Sequence, residues 1–365
     1  MGSLWVSISV IMILMLTILD YSEAEFSTTT PSFLLESISQ YDNSHVSEKL
    51  TVFETGKYQV TNPILVRKSQ YSTPEPLLIV SPKEAGSYPI LFFIHGTLIS
   101  NQDYSHLFKH VASHGFIVVA PLLFPPLVIF PPSQADEIEM AASMINWLPS
   151  KLHEVLRDHV NAKVSADLQK VAISGHSRGG KSAFALALGM SKTKLNFNIS
   201  ALIGVDPVAG PDNHSQTEPH VLTYIDNSFD LSIPCTVIGT GLGSKRNRLI
   251  PPCAPSNVSH QQFFNELKQG SHFVIEKYGH MQMLNDFLTD PVAVSMSVMC
   301  TSGFGPKTTM RRTLGGIMVA FLDAYFRDEK QQFFTLMANP SLAPTKLSVE
   351  KKGKFRFAPT NAQQL

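Results

Sequence analysis

The stretch Val171-Ala-Ile-Ser-Gly-His-Ser-Arg-Gly-Gly-Lys-Ser-Ala-Phe constrains the fold more than any other part of the chain. Val171 to Ser174 is a short apolar run of strand length, and Ser182 to Met190 is an Ala- and Leu-rich helical run. Between them lies Gly175-His176-Ser177-Arg178-Gly179, a G-x-S-x-G sequence in the strand–turn–helix setting that a nucleophile elbow requires. A turn this sharp brings backbone against the residues on both sides of the serine, so both must lack a Cβ. Ser177 is thereby held above a sheet in strained backbone. The bare pattern is common by chance; its flanking strand and helix give it weight.

Other short apolar runs recur along the chain. Ile90 to His95, Phe116 to Ala120, Ala201 to Val205, Thr236 to Gly239 and Phe273 to Glu276 are apolar at successive positions, as in parallel strands covered on both faces. Tyr58 to Lys68 and Leu77 to Ser81 read as an antiparallel pair that precedes them. Helical segments fall between the strands. Ser133 with Asp136 resembles a capping box, after which Ile138, Ala141, Ile145 and Leu148 line one face until Pro149, the expected stop. Leu314, Ile317, Met318, Phe321 and Tyr325 repeat at helical spacing. Alternating strands and helices imply one α/β domain over 51–335, with a mostly parallel central sheet flanked by helices. With the elbow, that is an α/β-hydrolase fold. Residues 336–365 read as a C-terminal tail.

The segment before residue 51 is of another kind. Leu4 to Leu19 is almost wholly apolar, and Ser22-Glu23-Ala24 supplies the small residues of a cleavage site, so 1–24 reads as a secretory signal. The run falls short of the ~20 residues of a spanning helix. Residues 25–50 are a polar leader without period. Three sequons, at Asn198, Asn213 and Asn257, fit a secretory route. Three cysteines, Cys235, Cys253 and Cys300, permit at most one internal bridge. Lys+Arg and Asp+Glu both number 29, a balance that speaks against a nucleic-acid partner. With 44% hydrophobic and 16% charged residues, global disorder is also excluded.

A serine hydroxyl needs a base to become a nucleophile, and on this fold the partners follow in the order serine, acid, histidine. Asp206 follows the strand Ala201 to Val205, and the loop after the next strand contains no carboxylate. That favours Asp206 over Asp212, Asp226 and Asp230. Past the last apolar run, Tyr278-Gly279-His280 supplies the histidine; His272 and His260 come too early in the chain. His176, beside the serine, is expected to pack rather than titrate. The oxyanion donors expected are the backbone N–H of Arg178 and one of Thr97 or Leu98, in the loop after Ile90 to His95. Pro121 to Pro132 is a proline-rich loop with seven large apolar side chains, either buried core or an apolar lip of a ligand site. No phosphate loop, zinc cluster or carboxylate pair competes, so neither cofactor nor metal is expected.

Gly175-His-Ser-Arg-Gly-Gly-Lys181, Leu202-Ile-Gly-Val-Asp-Pro-Val-Ala-Gly210, Gly239-Thr-Gly-Leu-Gly243, Pro251-Pro-Cys-Ala-Pro255, Tyr278-Gly-His-Met281 and Arg311-Arg-Thr-Leu-Gly-Gly316 together resemble the plant chlorophyllases. The resemblance covers roughly 50–335. It implies hydrolysis of the phytyl ester of chlorophyll to chlorophyllide and phytol, a substrate whose setting allows peripheral membrane contact. It assigns the catalytic roles to Ser177, Asp206 and His280. It also makes Leu122, Leu123, Phe124, Leu127 and Phe130 candidate walls for the substrate. Gln282 departs from the family, which often has Asp there, so local hydrogen bonds are expected to differ. The same machinery would serve a broad carboxylesterase or lipid esterase. Chlorophyll lies in plastids, which sets a chloroplast address against the secretory one.

Overall fold

A computed structural model describes residues 49–126 and 131–355. Its strands show why the apolar runs are continuous. In β3 (Gly86–Ile94), Leu91 and Phe93 join the core on one face of the sheet, while Ile90, Phe92 and Ile94 join the core on the other. Successive side chains point to opposite faces, and both faces are covered.

Nine strands form one sheet: β1 (Ile64–Val66), β2 (Leu77–Val80), β3, β4 (Ile117–Pro121), β5 (Val164–His176), β6 (Ala201–Val205), β7 (Cys235–Thr240), β8 (Gly270–Ile275) and β9 (Leu347–Lys352), in the spatial order 1-2-4-3-5-6-7-8-9. From β4 to β8 every neighbour is parallel, and β1, β2 and β9 are antiparallel additions at the edges. Helices α1 (Ser105–Ser113) and α6 (Lys307–Phe326) contribute to one core. Helices α2 (Gln134–His159), α3 (Arg178–Ala187) and α4 (His260–Glu266) contribute to the other. Two further helices, α5 (Pro291–Met299) and α7 (Gln331–Ala338), complete the set described. This is the α/β-hydrolase arrangement expected of the elbow and the alternating runs.

The structure corrects four details. The expected strand Tyr58 to Lys68 contracts to the three residues of β1, with Val60 making only an isolated bridge to Pro82. Ser133 caps α2, accepting from the Asp136 N–H, but its hydroxyl then donates to the Asp136 carboxylate rather than completing a reciprocal box. Pro149 does not end that helix. It lies on the exposed side, while Leu152, Val155 and Leu156 beyond it are buried; their burial, at about 1.5–3 kcal/mol for each large side chain, offsets the hydrogen bond a proline removes. Finally, residues 336–365 are not all tail, since β9 pairs with β8 along its whole length and Leu347 packs into the core. The strand reads weakly in sequence (Leu-Ser-Val-Glu-Lys-Lys) because an edge strand buries little. Leu50, at the end of the expected leader, is buried too. The proposed signal at 1–24 lies outside the described residues.

Candidate active site

The elbow occupies the carboxyl end of β5, near the middle of the sheet, where open parallel sheets form their ligand crevices. Ser177 has φ 57° and ψ −124°, and the α3 helix begins at Arg178. A Cβ on Gly175 would stand 2.2 Å from the Gly179 carbonyl oxygen, and one on Gly179 would stand 2.3 Å from that of Ile94. Both flanking glycines are thus demanded by close backbone approach. The Ser177 N–H donates to the Val205 carbonyl (3.0 Å), which ties the elbow to the end of β6.

One residue beyond that carbonyl, Asp206 is fully buried with a φ of 41°. Its Oδ1 accepts from the Thr240 N–H (3.1 Å), and its Oδ2 accepts from the Thr240 hydroxyl (2.6 Å). Oδ2 also lies 2.7 Å from Nδ1 of His280. Burial by itself would raise this carboxyl, but the His280 hydrogen bond and charge, with help from His260 and Thr240, hold it well below the usual carboxylate range. An ionised Asp206 can only accept, so Nδ1 of His280 is the donor of this pair and Nε2 is the ring nitrogen turned away from it. Asp212, Asp226 and Asp230, the alternatives by sequence, have no such partner.

His280 is itself buried, on the loop that follows β8. Gln282 fixes that loop. Its Oε1 accepts from the N–H groups of Gly279 and Gly303 (both 2.7 Å), and its Nε2 donates to the Gly303 carbonyl (2.9 Å). A Cβ on Gly279 would lie 1.8 Å from the Thr301 carbonyl oxygen, so the two loops meet backbone to backbone. Next to Thr301, Cys300 is bonded to Cys253; Cys235 is free and buried, and burial raises its thiol.

Ser177 and His280 line one cavity of about 250 Å³, together with Thr97, Arg178, Met281 and the disulfide. That is smaller than the ~300–1,000 Å³ of sites that enclose a drug-sized ligand. The Arg178 guanidinium does not reach freely into it. It donates to Glu137 (2.5 Å) and to the Pro132 carbonyl (2.8 Å), anchoring the elbow to the start of α2. Lys181, one helical turn from Ser177, is fully buried against Gln134 and Thr217, and burial brings it down to about 7.

The candidate oxyanion loop has supports that the sequence reading missed. Leu98 has φ 59° and Thr97 lines the cavity. The Leu123 N–H donates to Nε2 of His95 (3.1 Å), so the His95 proton is on Nδ1, where it donates to the Gly96 carbonyl (2.9 Å). Burial pushes His95 down to about 4, keeping it neutral. The Gly96 N–H donates to the Tyr104 hydroxyl (3.1 Å), which also contacts Nδ1 of His176 (2.8 Å). His176 therefore packs in the elbow, and burial holds it well below the ordinary histidine value. His260 was set aside by chain order. Its Nε2 nevertheless stands 3.9 Å from Asp206 Oδ1, and its Nδ1 lies 2.8 Å from Nε2 of His272.

The candidate substrate wall needs correction. Leu123 and Phe124 are buried in the core shared with α2, and none of Leu122, Leu123 and Phe124 lines the cavity. The hydrogen bond from Leu123 to His95 draws the loop inward, and Phe124 lies beneath the Arg178 guanidinium, 5.5 Å from its ring centre. Leu127 and Phe130 lie outside the described residues.

A family model described as "Chlorophyllase" matches residues 48–353. The chain is 63% identical over 326 residues to "Chlorophyllase type 0" of Chenopodium album, covering 87% of this chain and 92% of that protein. It is 42% identical over 299 residues to "Chlorophyllase-1" of Arabidopsis thaliana, covering 81% and 90%. It is 43% identical over 307 residues to "Chlorophyllase-1, chloroplastic" of Citrus unshiu, covering 82% and 88%. With the match spanning β1 to β9, the chain belongs to the chlorophyllase family and is a carboxylic ester hydrolase.

Proposed function

We propose that this protein hydrolyses the phytyl ester of chlorophyll through Ser177, His280 and Asp206. The observation that carries the mechanism is the 2.7 Å contact between Asp206 and Nδ1 of His280, in a histidine that borders the same cavity as Ser177. Nε2 of His280 takes the Ser177 proton as Oγ attacks the ester carbonyl carbon, and the buried Asp206 stabilises the imidazolium that forms. The N–H groups of Arg178 and of Thr97 or Leu98 stabilise the oxyanion. Collapse of the tetrahedral intermediate breaks the bond to the phytyl oxygen, which takes the proton from His280 and leaves as phytol. Water, deprotonated by His280, then attacks the acyl-enzyme and releases chlorophyllide with Ser177 restored.

The test is purified protein on chlorophyll a dispersed in detergent, with phytol and chlorophyllide both quantified. Ser177→Ala should abolish release of both. Asp206→Asn should lower turnover by about 10⁴, because the Thr240 N–H keeps the amide oxygen at the Oδ1 position and the NH2 group that replaces Oδ2 cannot accept the Nδ1 proton, so the tautomer reverses. Full activity in Ser177→Ala would refute the mechanism. Turnover of p-nitrophenyl esters without any of pigment would instead favour the broad esterase reading. The chloroplastic name of citrus relatives supports a plastid address for this chain over a secretory one. A fluorescent fusion to residues 1–60 decides between them.

A further inference from the structure

The outer side of the cavity rim combines exposed apolar side chains with unpaired cations. Helix α5 forms one lip. Met296 lines the cavity, as does Cys300 just past the helix end, whereas Val294 and Val298, one turn apart, are 45% and 60% exposed. Only Ala293 is buried in this helix, and none of its nine residues is charged. The segment 244–250 lies beside it, with Leu249 93% exposed among exposed Lys245, Arg246 and Arg248. The two lips are joined. Nδ2 of Asn247 donates to the carbonyls of Val298 (2.9 Å) and Met299 (3.1 Å), the Thr301 hydroxyl donates to the Lys245 carbonyl (2.8 Å), and Cys253 is bonded to Cys300.

Acidic residues are sparse in these segments, with Asp290 serving as the N-cap of α5. Residues 231–265 and 291–322 contain neither Asp nor Glu. Among the described residues, Lys245, Arg246 and Arg248 take part in no ion pair, whereas Lys268, Arg311, Arg312 and Lys346 do. Large side chains left in water beside free cations suit a surface that is apolar within and anionic at its boundary. The small cavity adds a second reason. It has room for the ester region, while a macrocycle and a long alkyl chain must remain at the mouth.

We propose that this rim docks onto an anionic lipid bilayer. Leu249, Val294 and Val298 enter the headgroup boundary, and Lys245, Arg246 and Arg248 face the lipid anions, so that the cavity opens toward a substrate held in the membrane. The proposal rests on the reading of the substrate as a phytyl ester.

The experiment is co-sedimentation of the full chain with vesicles of phosphatidylcholine alone and of phosphatidylcholine mixed with phosphatidylglycerol. The wild type should partition preferentially to the anionic vesicles and be released by salt. The triple variant Lys245→Gln, Arg246→Gln, Arg248→Gln should partition on the order of 100-fold more weakly, at about fivefold for each basic side chain. Leu249→Ser with Val294→Ser and Val298→Ser should lower partition by at least about tenfold. Both variants should keep wild-type turnover of a soluble p-nitrophenyl ester, which shows that they fold. Wild-type partition in both variants, or no preference of the wild type for anionic vesicles, would overturn the proposal. So would a wild-type dimer in sedimentation velocity that the serine variant dissolves, since a second copy would then cover the rim. Failure of the substrate reading is separately visible, as absence of phytol release from detergent-dispersed chlorophyll whatever the vesicle result.

Discussion

His95 offers a sharp test of the proposed oxyanion site. Its Nδ1–H holds the Gly96 carbonyl and its Nε2 receives the Leu123 N–H, while Tyr104 accepts from the Gly96 N–H. In a trans peptide the C=O and the following N–H point in opposite directions, so fixing the Gly96 carbonyl also fixes the Thr97 N–H. His95→Ala removes the donor and leaves two buried backbone groups unpaired, at about 1–3 kcal/mol for each. The Thr97 N–H, one of the two candidates for the second donor, is then free to swing; if it is that donor, its loss costs about 10²–10³ in kcat. KM should change little, because the donor is needed most when the oxyanion forms. His95→Asn restores an amide N–H near the Nδ1 position and should recover much of the lost kcat. His95→Gln reaches toward the Nε2 position instead and should not. The assay is steady-state and burst kinetics on a soluble p-nitrophenyl ester, with thermal melting recorded for each variant. A folded His95→Ala protein with wild-type kcat would refute the reasoning. Equal kcat losses in all three variants, tracking their melting temperatures, would reduce His95 to a packing residue.

Two further predictions concern stability. Reducing Cys253–Cys300 opens a link across 47 residues, which the chain-entropy relation values at about 4 kcal/mol; for a domain of this size the melting temperature should fall by about 6 °C, and activity should fall before global unfolding because the bridge anchors the loop that meets Gly279. Unchanged turnover in the reduced, folded protein would break that connection. Acid sensitivity follows from His95 and His110, which burial brings from 6.5 to about 4. Their contribution is complete above pH 6.5 and is lost as pH falls toward 4, since the unfolded chain takes up protons that the folded chain refuses, at roughly 3 kcal/mol for each. Asp323, raised by burial to about 6, works in the opposite direction by roughly the same amount for one residue. Urea midpoints should therefore drop steeply between pH 6.5 and 4, and a flat profile would contradict these burials.

What the sequence made legible is what local chemistry dictates. The elbow announces itself because a strand, two obligatory glycines and a helix are contiguous. Asp206 was reachable because it follows its strand directly, and His280 because it comes a few residues past the last apolar run. The supports of the site are another matter. Thr240 stands 34 residues from the carboxylate it holds, and Gln282 binds a glycine 21 residues away. Thr240 is the last residue of β7 and Gln282 lies in a loop, and nothing local distinguishes either from a polar residue that faces water. The Pro121 to Pro132 loop was ambiguous for a related reason. Its composition required shelter, and for Leu123 and Phe124 that shelter is the core, where the Leu123 N–H meets His95, a partner distant in sequence.

Gln282 shows how composition and geometry interlock around His280. The side chain accepts from two N–H groups and donates to a carbonyl at once, and an amide can do both where a carboxylate cannot. An aspartate would serve the two N–H groups but leave the Gly303 carbonyl without its donor. In this chain that donor joins the loop carrying His280 to residues 301–303, which the Cys253–Cys300 bridge tethers in turn. The acid is fixed from below by β7, and the histidine is fixed from the side by an amide and a covalent link. A strand end holds its residue through the ladder of the sheet, whereas a loop has no ladder. His280, proposed to accept and return the proton, stands beyond the end of its strand rather than at it, and it is there that the additional constraints are concentrated.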